Sequence, residues 1–166
     1  MVRRERPIAR FALMNTRVLL RIAGLVIMIP VVGWSAPIPN TQQPTTVTVF
    51  KDPNCGCCKL WVEHLRKHAF TVVTKDTSDV AAFKRSGRVP AQHQSCHTAF
   101  VNGYVIEGHV PAEDIQRLLK EKPKVAGLAV GGMPIGSPGM EVGNRKDAYD
   151  VVAFNRDGTT QVYARH

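Results

Sequence analysis

Apolar and polar residues alternate in a way that predicts strands and helices in turn between residues 46 and 121. Val, Thr and Phe alternate over 46–51, which is typical of a strand with one buried face. From Cys58 to His68, apolar residues recur at every third or fourth position, which predicts an amphipathic helix. The further elements predicted in this stretch are a strand at 70–74, a helix at 76–86, strands at 96–102 and 104–109, and a helix at 111–121.

Turn and cap residues support these boundaries. Asp76 to Asp79 supply capping side chains for the second helix, which stops at Gly87. Asn102 and Gly103 form a strong hairpin-turn dipeptide. The order β-α-β-α-β-β-α, with cysteines at the first strand-to-helix turn, predicts an α/β protein with a thioredoxin-like core.

Composition changes after Pro123. Residues 127–141 are rich in glycine, proline and methionine, which predicts an irregular loop. Two further β-rich runs, at 149–154 and 160–164, are joined by a turn at 155–158 and predict a C-terminal β-hairpin.

The N-terminal segment, residues 1–36, reads as a secretory signal peptide. It holds six arginines and one glutamate, a net charge of +5, and then an apolar run at 22–32 that is short for a membrane span. Small residues favour cleavage after Ser35, and Met14 is an alternative start. An uncleaved membrane anchor is the rival interpretation, and it is the sole membrane contact that the sequence suggests.

A polar, proline-rich linker at 37–45 then leads into the domain at 46–166. Because the body is exported in either case, we expect a bacterial periplasm. The chain carries a net charge of +9, and most of it lies in residues 1–36. The body is only mildly basic and has no long basic run, so we expect no nucleic-acid partner.

Three of the four cysteines lie together, in the stretch Cys55-Gly56-Cys57-Cys58. Thiols at a helix N-terminus have lowered pKa values, and such a group can exchange disulfides or bind a soft metal. Cys55 and Cys58 have the spacing of a redox pair, with Cys55 as the attacking thiolate. Purely structural disulfides are disfavoured, because a bridge within this stretch would close only a very short loop.

The fourth cysteine, Cys96, is predicted to face the other three. When residues 98–103 are aligned with the hairpin strand of a thioredoxin-like fold, Cys96 and His97 fall where such folds carry a cis-proline. The sequence therefore predicts a metal site formed by Cys55, Cys57, Cys58 and Cys96, with His97, Met133 and Met140 as weaker candidate ligands.

Soft thiolates select Cu(I), zinc or iron–sulfur clusters, and methionine thioethers favour Cu(I). Three sulfurs this close cannot all comfortably bind a single ion together with Cys96, so several Cu(I) ions bridged by thiolates are a sensible arrangement. Zinc, bound by four sulfurs or by three and His97, is the less favoured alternative. His64 and His68 have the spacing of an i, i+4 metal pair, but such residues are more often surface groups.

Five motifs stand in order along the body of the chain, at 50–65, 95–99, 103–112, 127–130 and 133–141. Together they resemble the CopG-like family of periplasmic copper-resistance proteins, which is unrelated to the DNA-binding repressors of that name. The resemblance covers nearly all of residues 46–154. It implies a thioredoxin-like fold, a copper site held by the four cysteines, and handling or redox cycling of copper.

Three functional hypotheses follow. The first is an exported Cu(I)-binding protein for copper resistance, whose cysteines couple copper redox to thiol–disulfide exchange and whose partners are copper ions and other periplasmic copper-handling proteins. The second is a metal-independent thiol–disulfide oxidoreductase. The third is a zinc-binding or structural module.

Overall fold

Seven strands form one mixed sheet with three helices in the computed structural model, which describes residues 44–166. The predicted signal peptide and almost all of the predicted linker lie outside the described residues. In chain order the elements are β1 (Thr46–Lys51), α1 (Gly56–Lys67), β2 (Thr71–Asp76), α2 (Val80–Ser86), a short 3-10 helix (Ala91–His93), β3 (His97–Val101), β4 (Tyr104–Glu107), α3 (Ala112–Glu121), β5 (Gly127–Ala129), β6 (Asp150–Phe154) and β7 (Thr160–Arg165).

The strands lie in the order β2-β1-β3-β4-β5-β6-β7. β1 is parallel to β2, whereas β3 runs antiparallel to both of its neighbours, β1 and β4. The first four strands and the three helices thus confirm the predicted thioredoxin-like α/β core. The predicted C-terminal hairpin is also present, as β6 and β7, and it continues the sheet beyond β5.

The two faces of the sheet bury different apolar clusters, because side chains alternate along each strand. Val47 and Val49 point to the larger cluster, where they are buried with apolar residues of α1 and α3, including Trp61. Phe50 points the other way and stacks on Phe83 of α2, with ring centroids 3.6 Å apart. Helices α1 and α3 therefore pack against one face of the sheet, and α2 packs against the other.

A buried ion pair lies on the α2 side of the sheet. Lys84 of α2 donates to the Oε1 atom of Glu107 at 2.5 Å, and the Glu107 side chain is fully buried. The same carboxylate accepts from the backbone N–H of Ser95 and from the hydroxyl of Thr98, at 2.7 Å each. Burial raises the pKa of Glu107, and the charge and hydrogen bonds of Lys84 lower it.

The prediction of an irregular loop was wrong at its first residues, Gly127–Ala129, which form the short strand β5 parallel to β4. A Cβ atom at Gly127 would lie 1.9 Å from the carbonyl oxygen of Val105, so close strand packing needs glycine there. Glycine is usually rare in strands, which is why the composition suggested a loop. Helix α1 also begins earlier than the predicted Cys58, at Gly56.

Among residues 44–166, no helix has both the length and the apolar character that a membrane crossing needs.

Replacing Lys84 by Met should destabilise the fold, because it leaves a buried carboxylate without its cation. We expect a loss of about 3–5 kcal/mol in the free energy of unfolding at pH 8, measured by urea denaturation. Without the lysine the pKa of Glu107 rises further, so the folded variant takes up a proton that the unfolded chain lacks. Stability should therefore recover as the pH falls below that raised pKa.

The matched control is Arg85→Met, since Arg85 pairs with Asp79 across 3.8 Å on the exposed surface. That change should cost less than about 1 kcal/mol. Equal losses in the two variants would show that the buried pair has no special role.

Candidate metal centre

The β1–α1 turn places three sulfurs at the N-terminus of α1. Cys55 is the N-cap residue, and its Sγ accepts a hydrogen bond from the backbone N–H of Cys58 at 3.3 Å. The turn itself is closed by a hydrogen bond from the Cys55 N–H to the carbonyl of Asp52, at 3.1 Å. Cys57 and Cys58 lie in the first helical turn, where backbone N–H groups have no acceptor within the helix.

Cys96 lies opposite this turn, immediately before β3. Its Sγ is 3.4 Å from the Sγ of Cys58 and 4.0 Å from that of Cys57. The four sulfurs of Cys55, Cys57, Cys58 and Cys96, called the four-cysteine cluster below, all lie within 4.8 Å of one another. The structure thus brings together the four residues that the sequence proposed as metal ligands, and ligation by them remains a prediction.

Two of the four sulfurs are bonded to each other. Cys55 and Cys58 form a disulfide, while Cys57 and Cys96 are free thiols. The Sγ of Cys57 is 3.5 Å from the Sγ of Cys55. The structure therefore shows the cluster in an oxidised state, in which only two sulfurs are available to a metal.

Two histidines flank the sulfur of Cys96. The Nδ1 atom of His97 is 3.2 Å from it, and the Nε2 atom of His109 is 3.1 Å from it. The other ring nitrogen of His109 lies 2.8 Å from the carbonyl of Pro138, to which it must donate. This bond leaves the lone pair of Nε2 directed at the sulfur, which is the orientation of a metal-binding histidine.

Burial keeps these groups neutral in the oxidised protein. It lowers the pKa of both His97 and His109, and in His97 the neighbouring His109 lowers it further. Burial also raises the pKa of the Cys96 thiol to about 12, with an added contribution from Cys57. A metal that binds Cys96 must therefore displace a proton.

The loop at 130–141, called the methionine-bearing loop below, lies against the four-cysteine cluster. Ser95 donates its hydroxyl to the carbonyl of Gly132, which ties the loop to the segment of Cys96. At its other end Gly139 packs against α1 so closely that a Cβ atom would lie 2.8 Å from the carbonyl oxygen of Cys57. The loop is thereby held across the turn that carries the cysteines.

The two candidate methionines differ in how far they are exposed. Met133 is 52% exposed and Met140 is half-buried. Ligation by either residue remains a prediction, as does ligation by His97.

His109 is a site residue that the predicted set of metal ligands did not include. His109 follows Gly108, just after the end of β4. The only sign of it in the sequence was that a histidine stands at the end of a predicted strand. The contact with Cys96 depends on the β3–β4 pairing and on a carbonyl 29 residues away, at Pro138. Nothing local to His109 indicates that carbonyl.

The fold and the cluster together define a thioredoxin-like protein with a candidate four-cysteine metal centre. A family model described as "Protein of unknown function, DUF411" matches residues 93–140. Two solved structures of the copper resistance protein copG, called Form 2 and Form 1, are each 46% identical to the chain and match 75% of it. The match covers 99% and 98% of those chains, with TM-scores of 0.72 and 0.71.

The chain belongs to the CopG family of copper resistance proteins, and the resemblance found in the sequence is confirmed. The relationship and the cysteine cluster together support a copper-related function. A comparison with curated protein sequences gave no match.

Gly139→Ala should displace the loop from α1. Gly139 has φ +85°, and the new Cβ would meet backbone atoms of Cys57 and Trp61 at 2.8 Å. We expect a loss of about 1–3 kcal/mol from overpacking, beyond the cost of the left-handed backbone, and a changed NMR shift of the His109 ring. The control is Gly143→Ala, which has φ +57° but open space around the added Cβ. If both variants lost equal stability, the contact with α1 would be unimportant.

Cys96 should react slowly with iodoacetamide in the oxidised protein, because its pKa is raised to about 12. At pH 8 we expect alkylation at least roughly a hundredfold slower than for cysteine in a short peptide, since only the thiolate attacks. Peptide mapping by mass spectrometry measures the rate at Cys96 separately from that at Cys57. Reaction at the peptide rate would mean that the two imidazoles hold a thiolate. Denatured protein, in which burial is lost, serves as the control.

Proposed function

We propose that this protein binds Cu(I) through the thiolates of the four-cysteine cluster, and that copper binding is coupled to opening and closing of the Cys55–Cys58 disulfide. One observation carries the proposal: four sulfurs lie within 4.8 Å of one another, and two of them form a disulfide. Reduction of that bond would convert a site with two free sulfurs into a site with four.

The chemistry of the donors favours copper in its lower oxidation state. Thiolates are soft ligands and select Cu(I) over harder ions. The relatives are copper resistance proteins by name, which supports the same ion. Because four thiolates exceed what one Cu(I) ion readily takes, we propose several Cu(I) ions bridged by the sulfurs. Zinc held by four sulfurs, or by three and His97, is the less favoured alternative.

The redox step balances with copper itself as the oxidant. Two Cu(II) ions each take one electron from the thiols of Cys55 and Cys58. The products are two Cu(I) ions, one disulfide bond and two protons. An exported dithiol reductant would return the disulfide to two thiols. The helix N-terminus favours the thiolate form of Cys55, from which the first electron is taken.

The free sulfur of Cys96 gives Cu(I) a ligand that the disulfide does not remove. Its proton must leave when the metal binds, and Nδ1 of His97 and Nε2 of His109 lie 3.2 and 3.1 Å from the sulfur. We propose that the proton leaves through His109, whose Nε2 lone pair faces the sulfur because its Nδ1 donates to the carbonyl of Pro138. The process belongs in the periplasm, as the N-terminal segment suggests, with other copper-handling proteins there as partners.

A second candidate function is thiol–disulfide exchange without metal. The disulfide at a helix N-terminus in a thioredoxin-like fold favours it. In that case Cys55 and Cys58 are sufficient, and Cys57 and Cys96 have no role.

Reduced protein, handled without oxygen, should bind Cu(I) tightly and lose its reactive thiols as copper is added. A competing Cu(I) chelator measures the amount bound, and a thiol reagent counts the free sulfurs. Oxidised protein should bind less copper per chain, because the disulfide withholds two ligands. Cys96→Ser should lower the stoichiometry or affinity of the reduced protein, and unchanged copper binding would rule out a four-sulfur site.

His93→Gln is the matched control, because His93 lies in the 3-10 helix and outside the cluster. Its copper binding should equal that of the parent chain. Disulfide reductase activity that survives both Cys57→Ala and Cys96→Ala, in protein that binds no copper, would favour the second candidate.

A further inference from the structure

A second group of metal-ligating side chains lies at the C-terminal end of α1 and the start of α3, apart from the four-cysteine cluster. His64 and His68 are one helical turn apart, and Glu113 reaches them from the first turn of α3. One ligand atom from each of the three residues lies within 4.8 Å of the other two. None of these residues belongs to the proposed Cu(I) site, so an inference about them stands independently of the proposed function.

The hydrogen bonds of His68 resemble those of a metal-binding histidine. Its Nδ1 atom lies 2.8 Å from the backbone carbonyl of His64, to which it must donate. The Nε2 atom is 3.0 Å from Oε1 of Glu113. Because Nδ1 carries a proton, Nε2 of a neutral His68 would direct its lone pair at a carboxylate oxygen. These two atoms repel each other unless a cation lies between them. That cation is either a proton or a metal ion.

His64 supplies a second nitrogen that is neutral. Burial lowers the pKa of His64, and the neighbouring His68 lowers it further. Its Nε2 atom accepts a hydrogen bond from the backbone N–H of Ala112 at 3.0 Å, so the lone pair points toward α3 and its Glu113. A metal would replace this N–H, which lies in the first turn of a helix, where N–H groups have no acceptor within the helix. This exchange makes the site weaker than a thiolate cluster.

We propose that His64, His68 and Glu113 form a binding site for a divalent transition-metal ion, with Cu(II) preferred. Two imidazoles and one carboxylate suit borderline divalent ions, and among these Cu(II) binds such ligands most strongly. The four-cysteine cluster offers the opposite preference, because thiolates are soft. Helix α1 would thus carry ligands for the two oxidation states of copper at different turns.

The competing explanation is a plain ion pair. A protonated His68 beside Glu113, whose side chain is 64% exposed, would make a surface salt bridge of little energetic value. A residue pair with no arranged metal site would bind Cu(II) no more tightly than a lone surface histidine, so the affinity found in a metal titration separates the two explanations.

The test uses the full chain with Cys57→Ser and Cys96→Ser and with the Cys55–Cys58 disulfide closed, so that no thiol can reduce the ion. We expect one equivalent of Cu(II) to bind, with an electron paramagnetic resonance spectrum that shows two coordinated nitrogens. In this background, His68→Gln should remove one coordinated nitrogen from the spectrum. It should also lower the Cu(II) affinity at least about tenfold, because even the loss of a residue that only hydrogen-bonds to a ligand commonly costs that much. Glu113→Gln should also weaken binding.

His93→Gln again serves as the matched control and should leave Cu(II) binding unchanged. Circular dichroism verifies that each variant is folded. His68 is a mild site for substitution because its side chain is 32% exposed. Failure to bind one equivalent of Cu(II), or binding that is equal in the parent, His68→Gln and Glu113→Gln chains, would overturn the proposal.

Discussion

The geometry of the cysteine cluster depends on the buried carboxylate of Glu107. Cys96 precedes β3, so regular pairing with a neighbouring strand does not fix it, and its segment is instead held by hydrogen bonds. One of these runs from the Ser95 N–H to Glu107, at 2.7 Å. Lys84 neutralises the carboxylate, which makes its burial tolerable. The Lys84–Glu107 ion pair, on the α2 face of the sheet, thus helps to hold the sulfur of Cys96 against the first turn of α1, which packs on the opposite face.

Local patterns in the sequence predicted the order of elements and the hairpin, because alternation, capping and turn residues act over a few positions. The position of Cys96 was predicted from topology alone, by placing it where thioredoxin-like folds carry a proline. Two features were not predicted, namely strand β5 and the contact between His109 and Cys96. Strand β5 contains Gly127, which is needed for close packing but is typical of loops. His109 meets Cys96 only because the distant Pro138 carbonyl orients its ring, and no local signal records such a contact.

Disulfide formation and metal binding compete for the same sulfurs. In the oxidised state described here two of the four sulfurs are bonded to each other, and a third, that of Cys96, is protonated because burial raises its pKa. Cys96 therefore releases its proton only to a strong partner, such as a bound metal ion.

The four sulfurs belong to two segments that are far apart in the chain, since Cys58 and Cys96 are separated by 38 residues. A metal ion bridging them would be a cross-link that encloses β2, α2 and the 3-10 helix. A ligand that binds only the folded chain stabilises it, and a metal ion would do so here by joining the two ends of this loop. Under the proposed binding mode, copper would be both the cargo of the protein and a reversible cross-link that stabilises its fold. Release of the metal would remove this cross-link and loosen the enclosed segment.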